Sequence, residues 1–355
     1  MRRLYVLAML LLGSALARPA QAAEAISKGL KLDGGFQELV ISVPDLEVAT
    51  ALYQRVAGWR VVHRGAVQPE ILAAWKLPDT AKAIDVVLQN PGDPSGFIRL
   101  VKFRGIAQEE VRPSARPWDT GGFAGFDVYA RDTWQKYTQL RQAGWHAYAQ
   151  PVQHQVDGLT SLQTLIQGPA NEVIGIIQRL DPPLASFPNL KEMSFAFNVF
   201  ETVKDFDATV AFYTEKLGFK AFLRDQGLAA PPGRNIYGLP GNLVNNVYRR
   251  SIRLHPRGDV AQDDHAGSIS ITSYYGASGD DYAATAKPPN YGLIAARFPV
   301  SDVIGHAADL KAKGVQLEYE PTDVGMMPYG PAKVFAVRDP NGAWIEFFEP
   351  ADKPN

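Results

Sequence analysis

The sequence predicts an α+β protein made of four strand–helix–three-strand units, paired into two domains with cup-shaped mixed sheets. Two internal repeats and a shared ending carry that prediction. Val43-Pro44-Asp45-Leu46, Tyr53 and Gly58 recur with the same spacing as Val203-Lys204-Asp205-Phe206, Tyr213 and Gly218, 160 residues later. That offset is the length of an ordinary domain, and a fixed-spacing self-match constrains the whole architecture. A second repeat is nested inside the first: Asp132, Leu140 and Gly144 share the spacing of Asp302, Leu310 and Gly314. Each nested copy then runs into a strand-like ending, Gly168-Pro169-Ala170-Asn171-Glu172-Val173-Ile174-Gly175 and Asp339-Pro340-Asn341-Gly342-Ala343-Trp344-Ile345-Glu346.

Each unit opens with a strand and a helix. Glu38 to Val43 alternates, with Leu39, Ile41 and Val43 on one face and Glu38, Val40 and Ser42 on the other. Asp45 stands where a helix N-cap belongs, Leu46, Ala49, Leu52, Tyr53 and Val56 follow at helical spacing, and Gly58 ends the helix. Strands follow at 59–63, 84–88 and 97–103. The third unit repeats the order, with a strand at 195–203, a helix at 205–217 and strands at 219–223, 246–254 and 268–274. Units two and four open with strands at 123–129 and 293–300, and their helices end at Gly144 and Gly314.

Proline-rich joints at 112–117, 181–188 and 288–289 separate the units, and the middle joint divides the domains. The expected organisation is a leader at 1–22, a first domain at 33–182 (units 36–104 and 122–180) and a second at 190–350 (units 193–277 and 290–350). An insert at 229–245, rich in Pro, Gly and Asn, decorates the third unit, either bordering a binding site or running over the surface.

Arg2 and Arg3 precede an apolar run from Leu4 to Leu12, and Ala20-Gln21-Ala22 is a small-x-small cleavage site. This pattern predicts secretion, into a bacterial periplasm, with cleavage near Ala22. The run is too short to favour a membrane span. The 355 residues hold no cysteine, which excludes disulfides, thiolate ligands and a thiol nucleophile. A net charge of −1 without a basic run argues against nucleic acid, and a membrane partner is not expected for the mature form. Oligomeric state is left open.

Strand–helix–three-strand units in pairs, an Asp after the first strand, and the Asp339-Pro340-Asn341-Gly342-x-x-Ile345-Glu346 ending with Pro328-Tyr329-Gly330 before it resemble the vicinal oxygen chelate superfamily. That group includes glyoxalase I, bleomycin-resistance proteins and extradiol dioxygenases. The resemblance spans residues 35–350 and implies that each pair of units curls into an open cup. It also implies divalent-metal ligands seven residues before each Asp and at the Glu of each closing strand. Those positions read Glu38, Gly125, Asn198 and Ala295, with closing residues Arg99, Gly175, Ser270 and Glu346. Glu346 and Glu38 are the metal candidates. They would share a cup only if unit one paired with unit four. A firm metal cofactor is therefore not expected, and the two-His-one-Glu set of an extradiol dioxygenase is missing.

If the family register holds, period-two alternation lines the second domain's cup with Phe200, Trp344 and Phe348, and with Asn198, Arg297 and Glu346 as polar groups. Either these groups form a small-molecule site, or Arg297 and Glu346 form an internal ion pair within a filled core. Glu38 and Arg99 in the other cup read first as a structural pair. The Met326-Met327-Tyr329 loop is a candidate lid, with Tyr329 a candidate ligand contact, or else an ordinary loop. The histidines show no ligand spacing. The leading expectation is a small-molecule binder of the domain-two cup, whose role is sequestration, sensing or a metal-independent proton transfer. In the catalytic case Glu346 would be the base, and Arg297 and Asn198 would stabilise an oxyanion. A metal-dependent lyase, isomerase or dioxygenase, and a non-catalytic interaction module, are the alternatives.

Overall fold

The computed structural model describes residues 26, 29–114, 116–156, 158–185, 187–230, 233–258 and 266–353. The leader expected at 1–22 and His265 lie outside them. The first unit is β1 (Glu38–Ser42), α1 (Leu46–Ala57), β2 (Arg60–Ala66), α2 (Pro69–Ala74), β3 (Lys82–Gln89) and β4 (Phe97–Arg104). The second is β5 (Phe123–Tyr129), α3 (Thr133–Gln142), β6 (His146–Ala147), β7 (Val152–Val156), β8 (Leu159–Gln167) and β9 (Val173–Asp181). The third is β10 (Asn198–Thr202), α4 (Phe206–Ala211), β11 (Lys220–Leu228), α5 (Gly241–Val244), β12 (Tyr248–His255) and β13 (Ser268–Tyr275). The fourth is β14 (Gly292–Pro299), α6 (Val303–Ala312), β15 (Leu317–Gly325), β16 (Pro331–Arg338) and β17 (Trp344–Pro350).

The repeated aspartates are helix caps. Asp45 accepts from the N–H groups of Glu47 and Val48, both at 3.0 Å, and Asp132, Asp205 and Asp302 cap their helices in the same way. Gly58 and Gly218 end their helices at φ 74° and 77°, a left-handed turn that glycine adopts without a Cβ penalty. The helix expected through Leu217 is α-helical only to Ala211 and widens into a π-helical turn, Phe212–Lys216, around Tyr213. The tyrosines of the repeat anchor their helices, Tyr53 across units one and two and Tyr213 within unit three. Tyr53 donates to Glu172 at 3.1 Å, and Tyr213 donates to Glu201 at 2.7 Å.

The units do not pair in chain order. One sheet runs β15-β16-β17-β14-β1-β4-β3-β2, joining units one and four. The other runs β11-β12-β13-β10-β5-β9-β8-β6, joining units two and three, with β7 added on β8. Each seam is an antiparallel pair of first strands, β1 with β14 and β10 with β5. The expectation that residues 33–182 and 190–350 each form their own cup is therefore corrected. Charge at the seams gives a physical reason: Glu38 faces Arg297, and Asn198 faces Asp127. The same register between units one and two would set Glu38 against Asp127, and like charges directly opposite destabilise a strand pair.

The main core lies on the helix-bearing faces and runs through both sheets, from Leu39 and Val56 through Phe126 and Tyr213 to Phe298 and Phe347. A second core fills the concave face of the first sheet, with Val40, Phe97, Trp344 and Phe348 packed under Trp75, Met326 and Tyr329. Among the described residues the concave face of the second sheet has no comparable filling. There the insert forms its own small cluster of Ala229, Ala230, Leu239, Val244 and Val247, packed on Trp118, Tyr237 and Tyr274.

Candidate functional site

The two cups present equivalent central positions with different contents. In the first cup these are Glu38 on β1, Arg99 on β4, Arg297 on β14 and Glu346 on β17, all buried. Arg297 donates to Glu346 Oε2 at 2.5 Å and to Glu38 Oε1 at 2.8 Å, and Arg99 donates to Glu38 Oε1 at 2.7 Å. Arg99 continues to Asp85, and His63 Nε2 lies 3.2 Å from Asp85 Oδ1. Acid and base thus alternate from Glu346 to His63. Burial works to raise the Glu38 pKa, but the guanidinium groups of Arg99 and Arg297 outweigh it and hold the carboxyl below its usual value.

The remaining acceptor capacity is also occupied. Glu346 Oε1 accepts from Trp75 Nε1 at 2.6 Å, the Tyr319 hydroxyl at 2.9 Å and Trp344 Nε1 at 3.2 Å. Tyr329 donates to Glu38 Oε2 at 2.8 Å, and Arg99 Nη2 reaches the Met327 carbonyl at 2.7 Å. The expected lid loop therefore plugs the first cup. The structure brings Glu346, Arg297, Glu38, Trp344, Phe348 and Tyr329 together there as a closed ion-pair network with an aromatic shell. Asn198 and Phe200 lie in the other cup.

Position for position, the second cup holds Asn198 on β10, Ser270 on β13, Asp127 on β5 and Gly175 on β9, with Asp127 opposite both Asn198 and Gly175. Asn198 Nδ2 donates to Asp127 Oδ2 at 2.7 Å, while its Oδ1 accepts from Ser268 at 2.9 Å and Ser270 at 3.1 Å. Arg253 Nε on β12 donates to Ser270 Oγ at 3.2 Å. A relay Arg253–Ser270–Asn198–Asp127 crosses the floor of the cup. Burial pushes the Asp127 carboxyl up to about 6, against the Arg253 charge and the Asn198 hydrogen bond. That places it where it can gain and lose a proton near neutrality.

Two glycines make room for this arrangement. A Cβ at Gly175 would sit 2.0 Å from Asp127 Oδ1, and one at Gly125 would meet the Val173 carbonyl at 2.0 Å and the tip of the Phe200 ring at 2.7 Å. The side chains missing at these positions clear space for Asp127 and Phe200. Asp127 escaped the spacing pattern because each antiparallel seam sets the residue seven before one cap opposite the residue five before the other: Glu38 faces Arg297 and Asn198 faces Asp127. The inward residue thus lies seven before the cap in units one and three but five before it in units two and four. On β10, Glu201 alternates to the face opposite Asn198 and Phe200, where the Tyr213 hydroxyl donates to it at 2.7 Å. Glu201 is buried beside Asp339, which with burial raises its pKa well above the carboxylate range.

Above this floor lies an inner chamber of about 180 Å³, walled by Phe200, Tyr274, Tyr148 and Tyr237. It opens into an outer chamber of about 420 Å³ that carries His154, Arg179 and Arg224. Ile236 and Tyr237 of the insert border both chambers. Tyr237 is fixed by Arg249, which donates to its hydroxyl at 3.0 Å and pairs with Asp225. The insert therefore frames the site.

Neither cup fits a firmly held divalent metal. Two of four central positions in the first cup are guanidinium groups, which repel a cation, and the second offers one carboxylate, an amide, a hydroxyl and a glycine. Stable sites need three or four converging His, Cys or carboxylate ligands. Among the described residues no group of three or more His, Asp or Glu is placed to hold an ion.

Residues 198–347 match the sequence profile of the Glyoxalase/Bleomycin resistance protein/Dioxygenase superfamily. No curated protein matches the chain in sequence. Among solved structures the chain is similar to glyoxalase I from Zea mays, at 16% identity over 89% of this chain and 92% of that chain, with a TM-score of 0.57. It is also similar to a proposed dioxygenase from Bacillus subtilis, at 10% identity over 91% and 87%, with a TM-score of 0.54. At these identities the likeness concerns the fold.

Proposed function

Starting from a chain whose residues 198–347 belong to the Glyoxalase/Bleomycin resistance protein/Dioxygenase superfamily, we propose that it binds a small organic molecule in the cup of units two and three. Asp127 would move a proton there without a resident metal. The observation that carries this reading is the contrast between the cups. One is closed by its own ion pairs and rings. The other is an aromatic-walled chamber with a half-buried carboxyl on its floor. Convergent polar groups in a concave, largely preformed pocket are the usual form of a ligand site.

Within this reading Asp127 takes a proton from one atom of the ligand and returns it to another, so no redox partner is required. Asn198 holds the carboxylate and is itself oriented by Ser268 and Ser270. The first cup serves as the rigid half of the molecule. The leader-like segment before residue 23 is the basis for placing this work outside the cytoplasm. Native mass spectrometry of mature protein purified from its host tests the binding reading. One small molecule per chain is expected, released on denaturation. The variant Ser251→Phe, at the junction of the chambers, should lose it while keeping its melting temperature. Retention of the same molecule by Ser251→Phe would place the ligand elsewhere.

A further inference from the structure

Arg253 stands at the junction of the two chambers and borders both. Its Nε is committed to Ser270, yet its two terminal amines make no hydrogen bond among the described residues. The other arginines that line the inner chamber are committed. Arg249 is held by Tyr237 and Asp225, and Arg112 donates to the carbonyls of Asp119 at 2.7 Å and Gly121 at 3.2 Å. Asp127 attracts Arg253 electrostatically, but its hydrogen bond goes to Asn198. The free edge of a guanidinium presents two parallel N–H donors, a geometry that matches a carboxylate.

Size and surface narrow the class of ligand. A dry cavity of about 150 Å³ is known to admit benzene, and the inner chamber measures about 180 Å³. Phe200 and Tyr274 supply ring faces and edges for stacking. We propose that the inner chamber takes a single-ring organic carboxylate, its ring against Phe200 and Tyr274 and its carboxylate on the terminal amines of Arg253. This rests on the reading of the second cup as a ligand site and adds to it the charge and size of the ligand.

Calorimetric titration of the mature protein with benzoate and with benzamide tests this. The two probes share size and ring and differ in charge. Benzoate should bind about 10-fold or more tighter, the worth of a charge-assisted pair out of bulk water. Arg253→Gln should bring benzoate down to the level of benzamide and leave benzamide unchanged. Arg253→Lys should recover part of the difference, which a folding defect in the Gln variant would not allow. Equal binding of the two probes, or an Arg253→Gln variant that binds benzoate as the wild type does, overturns the carboxylate assignment and leaves the cup reading standing. Absence of binding by both probes to the wild type overturns the single-ring carboxylate assignment, while the cup reading stands or falls on native mass spectrometry of the wild type and Ser251→Phe.

Discussion

Glu346→Gln separates a structural from a catalytic role for the first cup. The carboxylate accepts four donors: Trp75, Tyr319 and Trp344 on Oε1, and Arg297 on Oε2. A glutamine has one acceptor oxygen. Turned one way, its NH₂ faces the Arg297 N–H; turned the other, it faces two indole N–H groups and a hydroxyl. Each buried donor left unsatisfied costs about 1–3 kcal/mol. Removing one partner of a buried ion pair costs about 3–5 kcal/mol, and the two figures describe overlapping losses. The expected destabilisation is therefore about 3–5 kcal/mol, read as a fall in the urea midpoint at unchanged m-value. Ligand retention under native conditions should be untouched, because Glu346 borders neither chamber of the second cup. A variant as stable as the wild type, or one that keeps its stability and loses the ligand, would refute this reasoning and return Glu346 to the site.

Asp127→Asn should keep the bound molecule but slow solvent deuterium exchange into it by about 100-fold or more, the usual worth of a positioned general base; an unchanged exchange rate contradicts the role. Gly175→Ala should displace the Asp127 carboxylate, since the new Cβ would lie 2.0 Å from its oxygen, and should weaken exchange as Asp127→Asn does; full activity would show that Asp127 has another resting place. Glu172 is pushed up to about 7 by burial, against hydrogen bonds from Ala170 and Tyr53, from a usual value of 4.5. Between those values the folded state keeps a proton that the unfolded chain has lost, so its contribution to stability is present below pH 4.5 and lost as pH rises through 7. Glu172→Gln should flatten that part of the stability profile and gain about 3 kcal/mol at pH 8; parallel profiles for variant and wild type would contradict the shift.

The four helices were legible because their signals are local. Asp45, Asp132, Asp205 and Asp302 cap the chain two or three residues on, and the glycines at 58, 144, 218 and 314 end what they start. The alternation that put Arg297 with Glu346, and Asn198 with Phe200, was legible for the same reason. Pairing of the units was not, because nothing near Glu38 in sequence says that its partner is Arg297, 259 residues away. Trp344, Phe348 and Tyr329 have the composition of a ligand wall and the packing of a core, a difference set by what covers them. Asp127 was within reach. It shares an alternation face with Gly125 on the same strand, just as Arg297 shares one with Ala295. Counting seven residues back from the cap passed Asp127 by two and landed on Gly125, because the seam sets the residue five before this cap, and not the one seven before it, opposite Asn198.

The central claim is that the second cup holds the ligand while the first is closed by its own charges. A crystal structure of the mature protein soaked with benzoate tests it most directly. One benzoate per chain is predicted in the inner chamber, with its ring against Phe200 and its carboxylate on Arg253, and Glu38, Arg99, Arg297 and Glu346 still bonded to one another. Benzoate in the first cup, with that network opened, would contradict it.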